Sequence, residues 1–383
     1  MVTNSFAASR GVPKLGTPMR RITSFTVAAA AGVSQSTVSR ALSGDPTLDA
    51  ETVRRVVDAA TALEYVAVAA PIEPPAVTTT RRIAMVVDHD NPLWPLLVPP
   101  LHTMLAGRGY ELSLVTGHAE SEDVQRTLLG GGVDGVILTT VALDSPLPVI
   151  LQRLGIPAVL LQRYADGGEL DSSVANDFSG GVLAAQLLVD AGHTHIAALF
   201  GPEDSSTGRD RAEGFREQLA SAGVPLDERW VRVGDFSYAH GYDGFDELLA
   251  KDPAPTALFC ADDSIAFGAL NRAHELGIRV PQDLTVIGFD DLEQSSWPTI
   301  GLTTVKVPFE DLLHSAITML LDRIAGWKGG GRRVVHSVHT VERTSHAGAP
   351  TVERPSLPTS APVRASRQPT DHLRRDSSSL LRR

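Results

Sequence analysis

The sequence predicts an α/β protein, with a three-helix module at the N-terminus followed by a two-lobed core of doubly wound parallel sheets. Three observations carry this expectation. Residues 27–44, VAAAAGVSQSTVSRALSG, hold two short apolar stripes at helical spacing with a glycine between them. From Arg81 onward, apolar runs of strand length alternate with stretches of helix length, the pattern of parallel sheets with right-handed crossovers. The alternation continues long enough to fill two such sheets.

Composition sets the bounds. The chain has 383 residues, room for two or three domains, and its 43% hydrophobic and 21% charged content is that of an ordinary globular protein. A single cysteine, Cys260, excludes an internal disulfide and a cysteine-rich zinc site. No apolar run approaches the roughly 20 residues that span a bilayer. The net charge of −11 is unevenly spread. Residues 1–68 sum to +2 and residues 349–383 to +4, so the middle carries −17. An acidic body directs any contact with nucleic acid to the N-terminal module.

Residues 1–19 show no periodicity and read as a disordered extension. In the module that follows, 20–67, Val27, Ala28 and Ala31 line one face of a first helix, and Gly32 supplies a corner that tolerates left-handed backbone. Val38 and Leu42, with Ala41 beside them, form the apolar face of a second helix, and Ser34 is placed to cap it. The outward residues of that helix are Gln35, Ser36, Thr37, Ser39 and Arg40, with neither Glu nor Lys among them. Such a face suits DNA rather than mere solubility. Gln35, Ser36 and Arg40 are expected at base edges in a major groove, and Ser34, Thr37 and Ser39 at phosphates. Asp49 should cap a third helix that turns Val53, Val56, Val57, Ala60 and Leu63 inward and ends near Tyr65.

The whole string resembles the helix-turn-helix of the lactose-repressor family of bacterial transcription regulators. Their pattern is V-A-x-x-A-G-V-S-x-x-T-V-S-R-x-L, and every fixed position of it is filled here. Residues 20–36 also have the paired arginines and small apolar run of a signal peptide, which gives a rival reading as an exported, periplasmic-type sugar-binding protein. Against it, the apolar run is only about nine residues long and continues into STVSRAL at helical spacing.

Residues 68–80 read as a linker bearing Pro71, Pro74 and Pro75. The resemblance implies a hinge helix here that pairs in the minor groove and wedges a leucine between base pairs. Pro74 occupies the wedge position, and an interior proline costs about 3 kcal/mol, so Glu73-Pro74-Pro75 is expected to be extended, with Ile72 the remaining apolar wedge and the operator bent less.

The core is expected over 81–347, with lobe 1 at about 81–163 and 302–327 and lobe 2 at about 164–301 and 328–347. IAMVVD (83–88) reads as a buried strand, followed by a helix in which Pro99 and Pro100 are uncomfortable. Further strands are read at YELSLVTG, DGVILTT, PAVLLQR, HIAALFG, WVRVGD, ALFCAD and LTVIGFD, with helices between them. LTTVKV and the helix after it should return to the first lobe, and RVVHSVHTVER should add a last strand or two. Residues 348–383, rich in Pro, Ser and Arg, read as a disordered tail.

This arrangement too resembles the repressor family, whose core is shared with periplasmic sugar-binding proteins. The landmarks are D-H-D-N-P-L-W at 88–94, V-A-N-D-F-S-G at 174–180, G-H-T-H-I-A at 192–197 and R-x-R-x-x-G-F at 209–215. They continue with C-A-D-D-S-I-A-F-G-A at 260–269, V-I-G-F-D-D at 286–291 and V-E-R-T-S at 341–345. In open α/β sheets ligands sit at the carboxyl ends of strands. The candidates there are Asp88, Trp94, Gln162, Arg163, Asn176, Arg209, Asp262 and Asp290, a set of carboxylates, amides, guanidiniums and one aromatic face suited to a small polyhydroxylated effector. The resemblance favours Arg209 and Asp290, then Asp262 and Trp94. Asp263 and Asp291 read as structural, and Arg211 as a surface salt-bridge residue. Asp262 stands where the family often has Asn, Gln162 where many sugar-binding members have Asp, and Asn176-Asp177 inverts a common pair.

An enzyme is the contrasting reading. The pairs Asp262-Asp263 and Asp290-Asp291 offer carboxylates, but neighbours on a strand point to opposite faces. No P-loop, G-x-S-x-G or closely spaced His pair is present. The expectation is therefore a DNA-binding transcription regulator, a repressor, with no catalytic residue, metal or cofactor. Its partners would be a pseudo-palindromic double-stranded operator, a small effector and a second copy of itself or a higher assembly. It would work in the bacterial cytoplasm, at the nucleoid and away from membranes.

Overall fold

The computed structural model of the chain describes residues 24–42, 48–62, 79–89, 91–167 and 169–349. The expectations for the N-terminal extension, for the linker prolines, for Leu63 and Tyr65, and for the tail beyond residue 349 lie outside the described residues. Contacts divide the chain into two units, with the break between Thr78 and Thr79.

Among the described residues the first unit holds three helices, α1 (Ser24–Ala31), α2 (Gln35–Leu42) and α3 (Ala50–Ala62). Val27, Ala28, Ala31, Val38, Ala41, Val56 and Ala60 form its core, with Val53 packed against it. Gly32 takes φ +65°, the left-handed corner its position required. The Ser34 hydroxyl accepts the Thr37 N–H at 3.1 Å, and the Asp49 carboxylate accepts the Thr52 N–H at 2.8 Å, so both helix caps are as expected. Arg55 adds a contact the sequence did not announce. Its guanidinium donates to the Ala31 carbonyl, putting a cation at the C-terminal end of α1.

The second unit carries β1 (Arg82–Val87), α4 (Trp94–Ala106), β2 (Glu111–Thr116), α5 (Glu122–Leu129), β3 (Gly135–Leu138), α6 (Leu147–Arg153), β4 (Ala158–Leu161) and β5 (Asp171–Ala175). It continues with α7 (Asp177–Asp190), β6 (Ile196–Phe200), α8 (Ser206–Ser221), β7 (Val231–Val233), α9 (Tyr238–Leu249), β8 (Ala257–Cys260), α10 (Asp263–Glu275) and β9 (Thr285–Asp290). The last elements are β10 (Thr303–Lys306), α11 (Phe309–Ile324), β11 (Arg333–His336) and β12 (His339–Val341). They build two six-stranded sheets, in the orders β11-β5-β4-β3-β1-β2 and β12-β10-β9-β8-β6-β7. Among the described residues all strand pairings are parallel except β10 with β12. Alternate residues of β1 serve opposite layers: Ile83, Met85 and Val87 face one core, Ala84 and Val86 the other.

Three strands sit in a different lobe from the one expected. β5 belongs to the first sheet, β10 to the second and β11 to the first, so each crossing between lobes falls later in the chain than its sequence suggests. The reason for β5 is chemical. DSSVA has no apolar run, yet all five residues are buried, because Asp171 is held by Arg323 and Arg332 and the Ser173 hydroxyl donates to the Leu312 carbonyl. β10 pairs in parallel with β9, Thr303 opposite Ile287, and the chain returns to the first lobe only with α11. Pro99 and Pro100 do lie inside α4. The helix persists because Leu97, Leu101 and Leu105 stay buried on its inner face, and the Thr103 hydroxyl takes up the Pro99 carbonyl.

Candidate functional site

The carboxyl ends of both sheets open onto one cleft of about 960 Å³. Asp88 follows β1, Gln162 and Arg163 follow β4, β7 leads to Asp235 and Phe236, β8 to Asp262, and β9 ends at Asp290. Gln162 (φ +70°) and Asp290 (φ +103°) both have left-handed backbone, a strain of order 1–3 kcal/mol each that packing must hold in place.

At the floor lies a buried charge cluster. Arg211 donates to Asp177 Oδ1 at 2.8 Å, to Asp290 Oδ1 at 2.8 Å and to the Ala261 carbonyl at 2.6 Å, and its guanidinium lies 3.7 Å over the Phe289 ring. Burial alone would depress its pKa, but Asp290 and Asp177 hold it above the ordinary value. Burial pushes the Asp177 carboxyl up to about 6 despite Arg211. Asp262 accepts the N–H groups of Ser264 and Ile265, capping α10, and burial followed by the Asp290 charge raises it to about 7. Gln162, nine-tenths buried, lines the cleft with no side-chain hydrogen bond among the described residues. Asp88 Oδ1 is buried and likewise without a hydrogen bond, and burial raises its carboxyl. Arg163 has no ion pair there either, and burial lowers its pKa against the opposing pull of Asp88.

Of the eight residues expected in the pocket, Asp88, Gln162, Arg163, Asp262 and Asp290 line it, and Trp94, Asn176 and Arg209 do not. The Trp94 indole N–H donates to the Asp88 carbonyl, and its ring packs on the core. Asn176 caps α7 by accepting the Ser179 N–H. Arg209 turns away to Asp210 and the Tyr164 hydroxyl. The second guanidinium in the pocket, beside Arg163, is that of Arg211 rather than Arg209, so Arg211 is not the surface salt-bridge residue its sequence position suggests. Helical periodicity separates the two arginines: Thr207, Arg211 and Phe215 share the inner face of α8, and Arg209 lies across the axis from it. Phe236 and Tyr238 line the cleft in place of Trp94, and a side chain at Gly201 would run into the Phe236 ring. Asp263 is structural, as expected: it accepts from Thr304 and Ser295 hydroxyls and the Leu292 N–H. Asp291 is held by Arg343 and Lys306. Among the described residues no group of His, Cys, Asp or Glu is arranged to hold a metal ion.

On the first unit, Gln35, Ser36 and Arg40 are exposed on α2 and Thr37 is half-buried. The Ser34 hydroxyl lies 2.8 Å from that of Ser36 and 2.7 Å from that of Thr37, a polar run along the N-terminal turn. The Ser39 side chain lies outside the described residues.

Comparison with known proteins settles the family. The HTH-type transcriptional regulator CelR of Thermobifida fusca is 34% identical over 339 residues, 85% of this chain and 98% of its own length. The chain belongs to the lacI family of bacterial regulatory proteins. The family's DNA-binding model matches residues 26–67, and a periplasmic binding protein-like domain matches 185–346. The ribose operon repressor of Escherichia coli is 34% identical over 78% of this chain and 92% of its own. A CelR–cellobiose complex superposes with a TM-score of 0.66 at 33% identity, covering 85% of this chain and 100% of that one. As a member of the family the protein is a DNA-binding transcriptional regulator, and these relatives are regulators rather than enzymes. Among the described residues no helix is long and apolar enough to cross a membrane.

Proposed function

We propose that the protein is a repressor whose effector is a sugar bound in the cleft between its two lobes. The observation that carries this reading is that Gln162, buried and without a side-chain hydrogen bond among the described residues, lines the same cavity as the aromatic ring of Phe236. A sugar presents hydroxyls in its ring plane and C–H groups on its faces. Gln162, Arg163, Asp88 and Asp262 offer donors and acceptors to the first, and Phe236 stacks on the second. Two relatives carry sugar names, cellobiose in the CelR complex and ribose in the operon repressor, which agrees with this chemistry.

On the DNA side, Gln35, Ser36 and Arg40 read base edges, and Ser34, Thr37 and Ser39 hold phosphates. One such helix makes few contacts, so two copies bind a pseudo-palindromic operator as a homodimer. A DNA partner requires the bacterial cytoplasm. The test is a binding titration on operator DNA with and without cellobiose, ribose and other sugars, alongside a thermal-shift screen. A sugar at 100 times its dissociation constant adds about 2.7 kcal/mol to the core. If no sugar moves either measurement, the effector belongs to another class.

A further inference from the structure

The cleft is more acidic than a neutral sugar needs. Six carboxylates line it against two guanidiniums, and no lysine is among the lining residues described. The two cations are not equivalent. Arg211 is already taken up by Asp177 and Asp290 at the floor. That leaves Arg163 alone in the upper part, with His89 and His118, against Asp88, Glu120, Asp204 and Asp235. Glu120, Asp204 and Asp235 are exposed at the mouth. The Asp204 carboxylate has no hydrogen bond or ion pair among the described residues. Asp235 accepts only from the Ser237 hydroxyl and Glu120 only from the Ala142 N–H. Asp88 Oδ1 lies 3.2 Å from His118 Nδ1, yet without a hydrogen bond. Carboxylates held together and short of counter-charge focus a negative potential into the opening.

The deep part differs. Gln162, nine-tenths buried with its amide unpartnered, and the half-buried Phe236 suit hydroxyls and a ring face. At about 960 Å³ the cavity also stands at the upper end of the roughly 300–1,000 Å³ range of small-molecule pockets, more room than one sugar ring fills.

We propose that the effector is a saccharide longer than one ring that carries a protonated amino group, its hydroxyl-rich end against Gln162 and Phe236 and its ammonium among Asp88, Glu120, Asp204 and Asp235. This rests on the reading of the cleft as the effector site and names the class of effector it takes. The ammonium supplies the positive charge that the upper part of the cleft lacks, and its three donors match carboxylate oxygens that the protein leaves open.

The test is isothermal titration of the full chain with two disaccharides of the same linkage, cellobiose and its diamino counterpart, deacetylated chitobiose. The amino sugar is expected to bind on the order of tenfold more tightly at neutral pH and low salt, with the gap narrowing as salt rises. In the double variant Asp204→Asn, Asp235→Asn the ratio of the two affinities should fall toward one. Cellobiose binding as tightly as the amino sugar overturns the proposal and leaves the cleft as a neutral-sugar site. If neither disaccharide binds, the proposal also fails. Whether the cleft reading survives is then decided by glucose and ribose, whose binding, if lost in Phe236→Ala, would keep the site and remove the amine.

Discussion

Arg211 Nη2 and Asp290 Oδ1 lie 2.8 Å apart, and both side chains are at least 96% buried. An ion pair so deep is strong only while complete, since removing one partner leaves a charge without solvent or counter-charge. Arg211→Ala would strand Asp177 and Asp290 together and is expected to cost about 3–5 kcal/mol in urea unfolding of the core. Arg209→Ala removes a half-buried side chain from Asp210 and Tyr164 and should cost under about 1 kcal/mol. Equal losses at the two positions would contradict the assignment of Arg211 to the floor.

Phe236 tests the cleft from beside that cluster, its ring centroid 5.8 Å from the Arg211 guanidinium carbon. Its ring is half-buried and makes no hydrogen bond. Phe236→Ala should weaken sugar binding roughly three- to tenfold, the value of a stacked aromatic face of about 0.5–1.5 kcal/mol. Operator affinity without sugar should stay within twofold of the parent. A titration showing unchanged sugar affinity would remove Phe236 from the site.

How much of this was legible in the sequence depended on what kind of signal each residue gives. The turn and caps of the three-helix module were legible, because Gly32, Ser34 and Asp49 act on their own neighbours, whereas the Arg55 contact with Ala31, 24 residues away, was not. Strand ends were legible too, so Asp88, Gln162, Asp262 and Asp290 fell in the cleft. Arg211 was not. Its partners Asp177 and Asp290 are 34 and 79 residues away, and only the inner-face periodicity of α8 hinted that it, rather than Arg209, turns inward. Strand β5 was missed for the same reason, its burial depending on Arg323 and Arg332 far along the chain.

Asp262 gives the core a pH dependence of definite sign. Its carboxyl is raised to about 7 in the folded protein, by burial first and then by Asp290, against an ordinary value of 3.8. Between these values the folded state holds the proton more tightly than the unfolded chain, so its contribution is present at low pH and lost as pH rises toward about 7. Asp177, raised to about 6, acts in the same direction. Asp262→Asn keeps an oxygen for the Ser264 and Ile265 N–H groups and removes the titration. The melting temperature of the variant should fall less than that of the parent between about pH 5 and pH 8. Parallel curves would show that Asp262 is not titrating there.

Arg40 carries the prediction for DNA. It lies exposed in the last turn of α2, on the helix whose N-terminal turn presents Ser34, Ser36 and Thr37. A guanidinium bidentate to guanine discriminates by about 1–3 kcal/mol, whereas a phosphate contact weakens all sequences alike and lowers the salt slope by about one. Arg40→Ala should therefore reduce operator binding by about ten- to a hundredfold while changing binding to random DNA much less. Arg40→Lys should recover little, since an ammonium lacks the planar fork. Fluorescence anisotropy on operator and scrambled duplexes over a salt series separates the outcomes. Equal loss on both duplexes, with a shallower salt slope, would move Arg40 from the bases to the backbone and leave Gln35 and Ser36 as the readers.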